Sequence, residues 1–141
     1  MALEHHPRIV TNGMFVYYDP ANYRSYSGSG ITLNNLLAGY GATLVNGPTF
    51  STSNAGYIIF DGTNDYVSIG SLELGSIPVT LTGFFKTPGV NQIQKLITKY
   101  SASSGSYKIE ILSSGELRAT VVTSSGEIVS TSLTKVNDDK W

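Results

Sequence analysis

Apolar and polar residues alternate along most of this chain in short runs with a period of two, the spacing of a strand and not of a helix. Tyr57-Ile58-Ile59-Phe60 is an apolar run too short for a helix and rich in β-formers. Asp61-Gly62-Thr63-Asn64-Asp65 then gathers turn-formers, and Tyr66-Val67-Ser68-Ile69 restores alternation. The stretch therefore predicts strand, tight turn, strand, a hairpin on which the rest of the fold is built. Further strands are expected over 14–18, 43–45, 78–87, 93–100, 107–112, 117–123 and 128–133, about nine or ten in all. Along 78–87, Val79, Leu81 and Phe85 share one face while Thr80, Thr82, Phe84 and Lys86 share the other. Leu33 to Leu37 has room for a single helical turn.

One signal repeats. Ser113-Ser114-Gly115-Glu116-Leu117 recurs eleven residues later as Ser124-Ser125-Gly126-Glu127-Ile128. In each copy glycine stands where a type I turn with a bulge needs a left-handed residue. Turns at that spacing between β-formers predict an antiparallel meander. The fold expected is all-β: an antiparallel two-sheet β-sandwich of the jelly-roll kind with Phe60 and Leu81 in its core. Residues 1–13, with Pro7 and the Thr11-Asn12-Gly13 break, read as an extended arm, and 14–141 as one domain.

Composition narrows the function. Only 13% of the 141 residues are charged and the net charge is −1, so no basic block exists for nucleic acid. There is no cysteine, which removes disulfides and thiolate metal sites. No basic start followed by an apolar stretch marks a secretory signal, and no window is apolar enough to span a membrane. A soluble, unexported product is expected. The ten carboxylates show none of the E-x-D-x-x-E spacing that jelly-roll glucanases use, and both histidines, His5 and His6, lie in the arm. No enzyme is expected. Asp61, Asn64 and Asp65, with Asp19 at the end of the first strand, are oxygen donors suited to calcium. The alternative is that they cap the turn's own backbone. Tyr23, Tyr26 and Tyr40, the loop tyrosines, are candidates for stacking on a sugar.

Together these segments resemble a known family. Met14 to Pro20 resembles the opening strand of LamG-like, concanavalin A-like jelly-roll domains in tailed-phage structural proteins. Thr43 to Phe50 resembles its "GTLVNGPTF" segment, Phe60 to Val67 its "FDGTNDYV" and Tyr107 to Val121 its strand–turn–strand. The arm from Leu3 to Val10 is similar to the start of versions in marine phages.

The resemblance implies a concanavalin A-like jelly roll and a non-enzymatic virion protein, a capsid decoration or tail-associated module. It would be held by subunit contacts and by Leu3, His5, His6, Arg8 and Ile9 of the arm. The partners implied are other virion proteins and further copies of the chain, in a product made in the host cytoplasm and located in the virion. The alternative is a lectin-like module for host-surface glycans. Leu33 and Asn35 stand where the family carries Trp and Asp, which weakens a borrowed ligand site. Asp138 to Trp141 resembles a point after which the family continues with further strands, so the sandwich expected here is incomplete at its C-terminal side. Either the sequence is a fragment or the protein is a shortened version.

Overall fold

The computed structural model describes residues 10–70, 72, 80–89, 91–99, 105–137 and 139. Strands carry nearly all of its regular structure. They are β1 (Thr32–Leu33), β2 (Ala42–Val45), β3 (Thr49–Ser51), β4 (Tyr57–Ile59), β5 (Tyr66–Ser68), β6 (Gln94–Lys99), β7 (Tyr107–Ile111), β8 (Glu116–Thr123) and β9 (Gly126–Lys135). They form three antiparallel sheets, ordered β1-β2-β5, β3-β4 and β6-β7-β8-β9. The fold class is all-β and antiparallel, as a β-sandwich requires. Among the described residues no helix is long and apolar enough to cross a membrane. The chain divides into two compact units, Met1–Leu72 and Glu73–Trp141.

In the first unit, alternation along β2 buries Ala42 and Leu44 and exposes Thr43. Register places Leu33 opposite Ala42 and Leu44 opposite Val67, so three strands contribute to one apolar face. Tyr26 joins this core, and Phe50 and Ile58 from β3 and β4 pack against it. The Tyr26 and Phe50 rings meet edge to face, centroids 5.3 Å apart.

The expected hairpin over 57–69 does not form. β4 pairs with β3 and β5 pairs with β2, so the Asp61–Asp65 turn joins two different sheets. The reason lies at its base. The Asn46 amide, just past β2, donates to Asn64 O at 2.8 Å and seats the turn beside β2. Phe60, expected in the core, follows β4 and is 47% exposed.

Residues 14–18 form no strand either, because main-chain groups of Phe15 and Tyr17 are taken by the segment around Asn35. Tyr17 N donates to Asn35 Oδ1 (2.8 Å), and Leu36 N donates to Tyr17 O (2.9 Å). The same Asn35 oxygen accepts Leu37 N, and its amide donates to Phe15 O and Ala38 O. This knot occupies 33–37, where the sequence has room for a helical turn and the structure forms none. Fully buried Ser25 ties a second one, accepting Asp19 N and donating to Asn34 O.

The second unit holds the meander. β6 to β9 run in sequence order, each antiparallel to the next. The described part of 78–87 is not a strand, and Leu81 is 37% exposed, again against expectation. Gly83 sits in its middle, and glycine inside a strand pattern weakens it. Pro78 and Val79 lie outside the described residues.

Both repeated turns place glycine at positive φ, +102° at Gly115 and +122° at Gly126. Their geometry differs. In the first, Gly115 N donates to Leu112 O and Leu112 N to Glu116 O, a three-residue loop closed by a bulge. In the second, Thr123 lies opposite Gly126 across a two-residue loop. Thr123 Oγ1 accepts Ser125 N and donates to Gly126 O. Leu112, the equivalent residue of the first turn, has no hydroxyl to do this.

Gly56 and Gly126 make a matched test of packing, since their φ angles are +121° and +122°. A Cβ on Gly56 would lie 3.0 Å from Phe50 Cζ and 3.1 Å from Ala21 Cα, whereas one on Gly126 meets nothing within 4 Å. With backbone strain alike, Gly56→Ala is expected to cost roughly 1–3 kcal/mol more than Gly126→Ala from overpacking. Urea unfolding of the two variants measures the difference, and equal losses would refute it.

Candidate functional site

The Asp61–Asp65 turn spends most of its oxygen donors on itself. Asp61 Oδ1 accepts Thr63 N at 2.8 Å and Asn64 N at 3.3 Å, and Asp65 Oδ2 accepts Asp61 N at 3.1 Å. Backbone hydrogen bonding, first from Thr63, holds the Asp61 carboxyl below its ordinary range. Asn64 contributes its carbonyl to Asn46. Asp65 Oδ1 is buried without a hydrogen-bond partner. The carboxylate bonds within the turn are the capping of its own backbone, the alternative to a calcium site.

Asp19 is occupied in its own loop, where Oδ1 accepts Ala21 N and Oδ2 accepts the Tyr17 hydroxyl. Among the described residues no three His, Cys, Asp or Glu side chains gather as a metal site would require.

The three loop tyrosines part company. Tyr26 is a core residue whose hydroxyl donates to Gly30 O, so it offers no face to a sugar. Tyr23 is largely exposed and Tyr40 partly so. Tyr40 O receives a hydrogen bond from the Tyr18 hydroxyl, which fixes its backbone. Leu3, His5, His6, Arg8 and Ile9 lie outside the described residues.

The second unit carries two features that the alternation of its strands did not announce. The first is an ion cluster on one face of the meander. Glu110 is 2% exposed and receives Arg118 Nε at 2.8 Å and Lys108 Nζ at 3.1 Å. Burial pushes its carboxyl up, but the hydrogen bonds and charges of Arg118 and Lys108 push it further down, and the net shift is downward. A general acid needs a raised value, so this carboxylate is an ionised structural acceptor. The signal was available. Once a turn is placed at 113–115, Glu110 falls directly opposite Arg118.

The second is β9 itself. It is ten residues long, paired only with β8 among the described strands, and every residue but Ser132 is exposed. Its side chains include Ile128, Val129 and Leu133, the last 101% exposed. Between Thr131 and Lys135 it bows away from β8, and Leu117 N donates to Ser132 Oγ in place of a main-chain acceptor. At the other end of the sheet, β6 carries Lys95 and Lys99 and its own bulge, devices that blunt an edge.

No protein-family model and no curated protein matches the chain. In structure it is similar to an S-layer domain-containing protein from Clostridium thermocellum, with a TM-score of 0.63 and 18% sequence identity. The match covers 89% of this chain and 60% of that solved chain, which is itself residues 221–444 of its protein. At that identity the likeness speaks for the β-rich fold alone.

Removing Arg118 tests the ion cluster. Arg118→Ala leaves a buried carboxylate short of its main partner and is expected to cost about 1–3 kcal/mol, discounted because Arg118 is itself partly solvated. Because the folded Glu110 value is depressed, its stabilisation is present above the ordinary carboxyl value and is lost as pH falls through the folded one. Stability of the wild-type chain should therefore drop in acid below the ordinary glutamate range, and Arg118→Ala should flatten that drop. Denaturant midpoints across an acid pH series decide it. An unchanged slope in the variant would contradict the assignment.

Proposed function

We propose that the chain is a non-enzymatic structural module of a tailed-phage virion, held in a capsid or tail by subunit contacts and by its N-terminal arm. The observation that carries this reading is β9, a ten-residue strand with exposed Ile128, Val129 and Leu133 that pairs only with β8 among the described strands. Such an edge is a template for strand addition by a neighbouring chain. The neighbour is a second copy. Its own β9 presents the same exposed Ile128, Val129 and Leu133, so the two strands can cover each other's apolar side chains. The ionised, fully engaged Glu110 and the self-capped Asp61 fit a scaffold and not an acid–base pair. Adhesion in this reading comes from buried area and strand pairing, with exposed loops left for display.

The test is self-association. Sedimentation of the purified chain is expected to show concentration-dependent dimers or larger species. Leu133→Lys and Ile128→Lys, both at exposed positions, should return it to monomer without lowering its urea midpoint. A wild-type chain that stays monomeric at high concentration would overturn the reading.

A further inference from the structure

Two Asn-Gly pairs occur in the sequence, Asn12-Gly13 and Asn46-Gly47, and the structure holds them differently. Asparagine before glycine can react with its own backbone, because glycine brings no Cβ to obstruct the approach of its nitrogen. The Gly nitrogen, its proton lost to hydroxide, bonds to the Asn Cγ. The Cγ–Nδ2 bond breaks, and ammonia leaves. Water then opens the five-membered imide at either carbonyl, giving aspartate or isoaspartate. The net change consumes water, converts amide to carboxylate and needs no oxidant or reductant.

Exposure does not separate the pairs, since all four residues are exposed. Hydrogen bonding does. Asn46 Nδ2, the atom that must leave, donates to Asn64 O at 2.8 Å, and Asn46 itself sits at φ +67° at the end of β2. Turning its Cγ towards Gly47 N breaks that bond and frees the base of the Asp61–Asp65 turn. Asn12 and Gly13 occupy the centre of a turn closed by Met14 N donating to Thr11 O at 3.1 Å, with Gly13 at φ +79°. Among the described residues no hydrogen bond engages the Asn12 amide, and no backbone bond engages Gly13 N–H.

We propose that Asn12 is a self-modification site, converting to aspartate and isoaspartate, while the bond to Asn64 protects Asn46. The product adds a negative charge to a chain whose formal charge is −1. By the isoaspartate route it also inserts a methylene into the main chain between residues 1–11 and the strands. It thus alters the junction of the arm whether or not the arm binds a virion.

Peptide mapping by mass spectrometry, with isoaspartate resolved, tests this on the full chain incubated at mildly alkaline pH, folded and in urea. Folded, Asn12 should convert at least roughly fivefold faster than Asn46, the factor that one retained hydrogen bond supplies. In urea the two rates should converge. Equal rates in the folded chain, or a ratio that urea leaves unchanged, would overturn the proposal. Gly13→Ala, whose Cβ meets nothing within 4 Å, should slow conversion at Asn12 and leave Asn46 as it was. Undiminished conversion at Asn12 in that variant would also overturn it.

Discussion

Strands of two to four residues leave many main-chain N–H and C=O groups outside any ladder, and each of those groups must find a partner. In this protein short polar side chains supply the partners. Asn35 serves four main-chain groups, Ser25 two, and Asp61 two, while Asn46, Thr123 and Ser132 each close a strand end or a bulge. These bonds decide where ladders stop. They also explain how a chain so poor in charge and so rich in Ser, Thr and Asn satisfies its loops: its polar residues work inward, on the backbone.

The same bonds account for what the sequence showed and what it hid. Strands in the meander were legible because period-two alternation and turn glycines agree there, and register follows from the turns. Residues 14–18 have equally good β-formers, yet the hydrogen-bonding groups of Tyr17 and Phe15 go to Asn35, 18 and 20 residues away in sequence. Propensity does not report that. The hairpin over 57–69 failed for a related reason. Alternation marks both flanking strands correctly but says nothing of which neighbour each one takes, and Asn46 settles that from outside the motif. Of the candidate site residues, Asp61, Asn64 and Asp65 do share a turn, whereas Tyr26 turned inward because a hydroxyl within reach of Gly30 O let the ring be buried.

The meander separates its chemistry by face. Register puts Lys108, Glu110, Arg118 and Thr120 on one side, with Ile109, Ile111, Leu117 and Ala119 on the other. A buried carboxylate on a sheet face is costly unless two cations meet it, and here they do. The four-stranded sheet is thus well determined within, and its unequal ends follow from sequence: lysines on β6, aliphatics on β9.

The two glycine turns bear on how such a chain can change. A strand presents alternate residues to opposite sides, so shortening a loop by a single residue turns the whole following strand over. Had the second turn copied the first, Ile128 would lie across from Val122 and Glu127 would point the other way. One oxygen on Thr123 therefore acts as a selector for the orientation of ten residues. A duplicated segment can in this way acquire a new outer surface without altering a letter of the duplicated unit.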